Sequence, residues 1–260
     1  MMKEPAFPTA RIGDVEFSRV ILGHNPFLGY SYFSKALGQL YEERFTTVAA
    51  IEAVIGTALE AGVRGMMLSF DGPGGERIVS ALERACKVHG LHIPTIAILG
   101  QDLEKHEQAI RRANARVGVL HGQITDTLFR RSTRDFSPEF AGYMARMRAL
   151  GMIPGASTHN AGETVPAMAN CDVVVVNTPV NKIGWRMCPC PEDVLEGLAR
   201  ARMVVIGMKP LAMGRVPPAE AMEYALSRPE VDIVLAGAAS TEEASETFGA
   251  ARRAVLDPRA

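Results

Sequence analysis

The stretch GMIPGASTHNAGETVPAMANCDVVVVNTPV, residues 151–180, decides the fold class because it contains the unit that the chain repeats. Two apolar runs, Met152–Gly155 and Val173–Val176, flank the amphipathic segment Gly162–Ala169. Nearly continuous apolar runs of this length are typical of parallel strands that are buried on both faces. The stretch therefore predicts a strand, a helix and a second strand that runs parallel to the first.

Eight strand-like runs of this kind follow one another along the chain: Val20–Leu22, Gly65–Leu68, Thr95–Leu99, Val117–Leu120, Met152–Gly155, Val173–Val176, Val204–Gly207 and Ile233–Leu235. Helical patterns follow them at Val48–Ala61, Glu76–His89, Leu103–Arg116, Pro138–Leu150, Gly162–Ala169, Pro191–Ala201, Pro217–Ser227 and Thr241–Ala254. Eight strand–helix units in this order predict an α/β fold, a closed (β/α)8 TIM barrel.

An open doubly wound sheet is the alternative, but such folds usually carry a glycine-rich phosphate turn after the first strand. Here the first strand is followed by Gly-His-Asn-Pro, residues 23–26, which lacks that pattern. Ahead of the first strand, Ala10–Phe17 has Gly-Asp between β-forming residues and predicts a short N-terminal β-hairpin that covers the bottom of the barrel.

Length and composition predict one soluble globular domain over residues 1–260, with 47% hydrophobic and 22% charged residues. The net charge of −1 gives no electrostatic reason to expect nucleic acid or an anionic membrane as a partner. No apolar run reaches the roughly 18–20 residues of a membrane span, and the start has no signal-peptide pattern, so we expect a cytoplasmic protein. Four cysteines in this length do not predict a disulfide framework.

Polar residues follow the predicted strands, where TIM barrels carry their catalytic groups. The candidate catalytic residues are His24, Asp71, His121, His159 and Lys209, because imidazole, carboxylate and amine groups transfer protons or polarise a carbonyl. The candidate substrate-binding residues are Asn25, Ser157, Asn160, Asn177 and Trp185. His106 is predicted to lie in a helix, away from this end.

Three further features belong to the loops. The candidate phosphate or anion site comprises Gly237, Ala238, Ser240 and Thr241, which lead into the last helix. The Cys188-Pro-Cys190 loop is interpreted as a stiff rim of the pocket, with a metal or redox role as the alternative, and we assign no metal ligands. The aromatic residues Tyr30, Tyr32 and Phe33 are expected to close over a ligand or to contact a neighbouring copy, so a homo-oligomer stays open.

An ordered set of segments resembles the aldo/keto reductase superfamily. They are RIGDVEFSRVILG at 11–23, Phe70-Asp71, Leu120-His121, GASTHN at 155–160, MKPLAMG at 208–214 and AGAASTEE at 236–243. The resemblance covers most of the chain and implies the barrel, carbonyl reduction with NAD(P)H, and a catalytic tetrad of Asp, Tyr, Lys and His. It places Asp71 and His121 at two of those four positions.

The other two positions of the tetrad differ from the family. The loop Gly72–Gly75 contains no tyrosine and the strand Ile93–Leu99 contains no lysine, so the usual proton donor is missing. We therefore predict general acid–base chemistry, of the lyase, isomerase or hydrolase type, on a small polar carbonyl compound. His121 would be the acid or base, and Asp71 would orient it or raise its pKa. Three alternatives stay open: an NAD(P)H-dependent reductase, a metal-dependent enzyme with a His/Asp cluster, and a non-catalytic binding protein.

Overall fold

The N-terminal hairpin closes one end of a parallel barrel. A computed structural model of the chain describes residues 7–256, in which β1 (Thr9–Ile12) and β2 (Val15–Ser18) pair antiparallel. The buried hairpin residues Ile12, Val15 and Phe17 belong to the same apolar cluster as residues inside the barrel. A Cβ added at Gly13 would contact Ile153, the first residue of a barrel strand, so the hairpin lies at the N-terminal ends of the strands as predicted.

Eight parallel strands form the closed barrel in chain order: β3 (Val20–Gly23), β4 (Met66–Ser69), β5 (Thr95–Leu99), β6 (Ala115–Leu120), β9 (Ile153–Ser157), β10 (Val175–Pro179), β11 (Val204–Met208) and β12 (Ile233–Gly237). The barrel closes between β12 and β3, where Val234 pairs with Val20. Branched and thioether side chains such as Ile21, Met67 and Ile206 fill its interior, as expected for this architecture. The predicted (β/α)8 barrel with an N-terminal hairpin is confirmed.

Ten helices accompany these strands in the described residues: α1 (Lys35–Arg44), α2 (Val48–Glu60), α3 (Gly72–His89), α4 (Glu107–Arg112), α5 (Gly122–Leu128), α6 (Pro138–Ala149), α7 (Ala161–Met168), α8 (Pro191–Ala199), α9 (Pro218–Ser227) and α10 (Thr241–Leu256). The apolar faces of these helices pack on the outside of the barrel in a second, larger cluster that includes Phe45, Ile55, Phe140 and Phe248. Within residues 7–256, no helix has the length and apolar character required to cross a bilayer.

The structure differs from the sequence-based elements in three places. The predicted helix 103–116 is shorter, because Asn114 has a left-handed backbone and Ala115 already pairs with Thr95 in the barrel. Helix α1 was not predicted; Ser34 caps it by accepting the Leu37 N–H. The segment after β6, for which the sequence predicted no element, forms α5 and a small hairpin, β7 (Phe129–Arg130) with β8 (Asp135–Phe136).

Candidate active site

A cavity of about 1560 Å³ opens at the C-terminal ends of the barrel strands. Its volume exceeds the roughly 300–1,000 Å³ of most small-molecule sites. All five predicted catalytic residues line it: His24, Asp71, His121, His159 and Lys209. The barrel therefore brings together side chains that are up to 185 positions apart in the chain.

His24 follows β3 directly and is 7% exposed. Its Nδ1 lies 3.0 Å from the Met67 carbonyl oxygen. Because a carbonyl oxygen only accepts, Nδ1 carries the ring proton and Nε2 keeps a free lone pair in the neutral ring. Burial is the main cause that lowers the pKa of His24 to about 4, and the nearby His121 and Lys209 lower it further. His24 is therefore neutral at pH 7, with Nε2 as an acceptor.

His121 follows β6 and has the opposite hydrogen-bonding arrangement. The main-chain N–H of Gln123 donates to His121 Nδ1 at 3.3 Å, so the proton of the neutral ring lies on Nε2. Burial lowers the pKa of His121, with further lowering by His159 and Lys209, while Asp71 opposes the shift. Asp71 thus raises the pKa of His121 as expected, but burial outweighs this contribution and the net shift is downward.

The sequence predicted His121 as the partner of Asp71, but the Asp71 carboxylate interacts with Ser69 and His106 instead. Ser69 Oγ donates to Oδ2 at 3.3 Å, and His106 Nε2 lies 3.2 Å from Oδ1. Lys105 Nζ is 4.0 Å from the same oxygen. His106 lies in a helix as predicted, the short 3-10 helix Glu104–His106 that follows β5, but its expected distance from the site is wrong because it contacts Asp71. Its position a few residues after a strand was the signal that could have found it.

Lys209 pairs with Tyr32, a residue that the sequence predicted only as part of a closing loop. Lys209 Nζ donates to Tyr32 Oη at 3.0 Å and lies 4.2 Å from the centre of the ring. Asn25 Nδ2 donates to the same oxygen at 3.2 Å, and Trp185 packs edge-on against the ring. Since two donors point at Tyr32 Oη, its own proton is free to donate into the cavity. Burial lowers the pKa of Lys209, and Tyr32 partly offsets this effect.

The floor of the cavity carries polar groups with unused hydrogen-bonding capacity. Asn177 is fully buried and its Nδ2 donates to Ser157 Oγ at 3.1 Å, whereas its Oδ1 has no partner in residues 7–256. The buried Nε2 of His159 also lacks a partner there, while Nδ1 faces Asp126 Oδ2 at 3.7 Å. Buried polar atoms are rarely left unpaired, so these atoms are suited to bind a ligand or water.

Most of the predicted substrate-binding residues line the cavity: Asn25, Ser157, Asn177 and Trp185. Asn160 does not. Its Nδ2 donates to Glu163 Oε2 at 2.5 Å and its N–H donates to Thr158 Oγ1 at 3.0 Å. Asn160 therefore stabilises the start of α7, which explains why a polar residue stands at this strand end without facing the cavity.

The predicted anion segment does not fit a phosphate. Only Gly237 of the four residues lines the cavity; Ala238, Ser240 and Thr241 do not. The Ala239 N–H donates to Glu243 Oε2 at 2.8 Å, and Ser240 Oγ accepts the Glu243 N–H at 3.1 Å. An anion bound to the Ala239 amide would have to displace the Glu243 carboxylate. A nicotinamide dinucleotide, the cofactor that the family resemblance implies, would therefore compete with Glu243 for that donor.

The Cys188-Pro-Cys190 loop does not rim the cavity, contrary to the prediction. Pro189 packs against α7, where a Cβ added at Gly162 would meet it, and Cys190 Sγ accepts the Asp193 N–H at 3.5 Å as the cap of α8. In the described part of the chain, no group of three or more His, Cys, Asp or Glu side chains is arranged to hold a metal ion.

Comparison with known proteins gives similarity in structure alone. No protein-family model matches the sequence, and no curated protein does. A protein of Pseudomonas aeruginosa assigned to the aldo-keto reductases has a TM-score of 0.68 and 16% identity, with 97% of this chain and 98% of that chain covered. The holo form of a Bacillus halodurans aldo-keto reductase has a TM-score of 0.62 and 13% identity, covering 96% and 95%.

A third similar structure is an aldo/keto reductase from Klebsiella pneumoniae in complex with NADP and acetate. Its TM-score is 0.60 at 13% identity, with 95% of this chain and 90% of that chain covered. At these identities the likeness concerns the fold. The resemblance to the aldo/keto reductases that the sequence predicted is confirmed at that level.

Proposed function

For this chain with an aldo-keto reductase fold, we propose an enzyme that transfers protons on a small polar carbonyl compound at the barrel mouth. The reaction is of the isomerase, lyase or hydrolase type and needs no hydride. One observation carries the proposal: His24 and His121, which interact electrostatically in one cavity, are neutral histidines with opposite tautomers. His24 offers a lone pair at Nε2, and His121 offers a proton at Nε2.

This pair matches the needs of a carbonyl compound that loses a proton next to its carbonyl group. His24 Nε2 accepts the proton, the C–H electron pair forms a C=C bond, and the carbonyl π pair moves to oxygen. His121 Nε2–H donates to that oxygen as its charge develops. In an α-hydroxy carbonyl compound, the former carbonyl carbon then takes up a proton while the neighbouring hydroxyl loses its proton and becomes the new carbonyl, which completes an isomerisation. If the β-carbon carries a leaving group, its departure with the bonding pair and return of the oxygen electrons to the carbonyl complete an elimination.

The low pKa of His24 limits its strength as a base, so the acidity of the substrate C–H must be raised at the oxygen. Lys209 Nζ and the Tyr32 hydroxyl add donors in the same cavity. Donors that are already in place stabilise a developing oxyanion without reorganising, and one such donor typically contributes about 10²–10³-fold in rate. This supports shared roles for His121, Lys209 and Tyr32 at the carbonyl oxygen.

Carbonyl reduction with NAD(P)H is the second candidate, favoured by the Klebsiella pneumoniae structure with NADP. One contact argues against the reductase. The Glu243 carboxylate accepts the Ala239 N–H, a donor that a phosphate of the cofactor could otherwise use. A non-catalytic role would leave the paired tautomers of His24 and His121 without a purpose.

Deuterium exchange tests the proposal directly. Purified protein is incubated in D₂O, without added cofactor, with neutral α-hydroxy aldehydes and ketones such as dihydroxyacetone, and loss of the α-proton signal is followed by NMR. We expect exchange with the wild-type chain, and a loss of about 10²–10⁴-fold in His24→Asn and His121→Phe, the range typical of general acid–base groups.

The matched control is His92→Gln, an exposed histidine just before β5 at the opposite end of the barrel, which should exchange like the wild type. Exchange that survives both active-site substitutions would contradict the proposal. NADPH oxidation by the wild-type chain on the same compounds, with no deuterium exchange, would favour the reductase instead.

A further inference from the structure

Arg77 is a cation of the cavity that has no hydrogen-bond or ion-pair partner within residues 7–256. It lies in the second turn of α3 and is half-buried, and it is the one arginine among the described residues that line the cavity. Its Nε is buried and has no hydrogen-bond partner within residues 7–256. Native proteins rarely leave a buried donor unpaired, so an unpaired buried guanidinium nitrogen calls for a functional explanation.

Neighbouring arginines of this chain pair with carboxylates. On the same helix, Arg84 pairs with Glu52 at 2.8 Å. Arg112 binds Glu76 at 2.6 Å and Glu83 at 2.7 Å. Glu76, which directly precedes Arg77, is thus used by Arg112. In the described part of the chain no carboxylate pairs with Arg77, although Arg77 lines the cavity.

The start of α3 adds donors beside Arg77. Gly72 and Gly74 line the cavity, and neither amide donates to an acceptor in the described residues. Asp71, at the N-cap, makes no side-chain cap bond to these amides. A Cβ added at Gly72 would have no atom within 4 Å other than those of its chain neighbours. The first turn of a helix favours negative charge, so these amides reinforce the guanidinium rather than define a site alone.

Asp71 is the acidic residue at the N-cap of α3, and its carboxylate interacts with groups other than Arg77. Its carboxylate is directed to Ser69 and His106, with Lys105 at 4.0 Å. Lys209, the other long cation of the cavity, donates to Tyr32 and is assigned to the carbonyl oxygen in the proposed reaction. Among the described residues that line the cavity, Arg77 is therefore the long cation that remains for an anionic group of a ligand.

We infer that Arg77 binds an anionic group of the substrate, a carboxylate or a phosphate, at the start of α3. The inference deepens the proposed function and rests on it for the presence of a substrate in this cavity. It assigns the substrate to the carbonyl compounds that carry an anionic end. A guanidinium can bind either anion through two parallel N–H donors, which a lysine cannot do.

Calorimetric titration with two simple anions tests this inference. Inorganic phosphate and glycolate are titrated separately at constant ionic strength, with glycolamide as the neutral analogue of glycolate. We expect saturable binding of at least one anion by the wild-type chain. Arg77→Gln should bind it at least about tenfold more weakly, and Arg77→Lys should fall in between. Which of the two anions binds tells a phosphate end from a carboxylate end.

Arg84→Gln is the matched control, because it removes a surface arginine from the same helix and should bind as the wild type does. Circular dichroism establishes folding; if Arg77→Gln does not fold, Arg77→Lys alone gives the readout. Equal anion affinity in wild type and the Arg77 variant, or no anion binding by the wild type, would overturn the inference. Deuterium exchange of dihydroxyacetone by Arg77→Gln shows independently whether the proposed function holds.

Discussion

The neutral state of His24 predicts a measurable dependence of stability on pH. The pKa of His24 is about 4 in the folded chain, against an ordinary value of 6.5. Each pH unit of such a difference corresponds to about 1.36 kcal/mol, so the full difference is on the order of 3 kcal/mol. Between these two values the unfolded chain binds a proton that the folded chain does not.

The sign follows from this difference in proton binding. Stability rises with pH wherever the unfolded state holds more protons. The contribution of His24 is therefore fully present above about pH 6.5 and is lost as the pH falls towards about 4. In this window His24 adds a slope of up to about 1.4 kcal/mol per pH unit to the free energy of unfolding.

The variant His24→Asn removes the titration and keeps a donor near the Met67 carbonyl, because the Asn amide N–H₂ can stand in for Nδ1–H. Urea unfolding at pH 7.0, 6.0, 5.0 and 4.5 should give a shallower pH dependence in this variant than in the wild type. NMR titration of the His24 ring should give its pKa directly. His92→Gln, which removes an exposed histidine at the opposite end of the barrel, is the matched control.

Two results would refute the reasoning. One is a His24 ring that titrates near 6.5 in the folded protein. The other is a His24→Asn variant whose unfolding free energy has the same pH dependence as that of the wild type. Either result would mean that the ring is solvated or positively charged, and the opposite tautomers of the two histidines would lose their basis.

Three other substitutions give separate tests. Tyr32→Phe removes the oxygen that accepts from Lys209, so we expect the pKa of Lys209 to fall further, measured by NMR of the ¹³C-labelled lysine, and deuterium exchange to slow by about 10²-fold. Glu243→Gln keeps an acceptor for the neighbouring amide but removes the negative charge. Measured by fluorescence quenching, NADPH should bind this variant more tightly than the wild type. Unchanged binding would contradict the inference that the Glu243 charge opposes a phosphate at the Ala239 amide. Asp71→Asn removes a charge that raises the pKa of His121, so the His121 ring should titrate at lower pH by NMR, whereas a rise would contradict the assigned electrostatics.

The sequence alone determined the architecture and the general location of the site. Apolar runs buried on both faces indicate a parallel sheet that is covered by helices, and eight such runs, each followed by one helix and without a glycine-rich phosphate turn, favour the closed barrel. Because parallel strands all end at one face, the residues after each run had to meet there. His24, Asp71, His121, His159 and Lys209 were therefore placed in one cavity before any contact was known.

The pairing of those side chains was decided only by the tertiary structure. Which group approaches which depends on loop conformations that hydrophobic periodicity does not encode. Asp71 thus contacts His106, which lies in a short 3-10 turn. Lys209 contacts Tyr32, which lies in a loop 177 positions away in the chain. The tautomers of His24 and His121 likewise depend on single backbone groups, the Met67 carbonyl and the Gln123 amide.

Residue type alone also could not tell free groups from committed ones. Glu243 occupies the amide that a phosphate would need, while Arg77, unremarkable in the sequence, has no partner in the described residues and faces the cavity. Hydrogen bonds act over about 3 Å, whereas a pattern of apolar residues fixes positions only to within a strand or a helical turn. The sequence therefore determined where chemistry can occur in this barrel, and the folded loops decided which atoms are available for it.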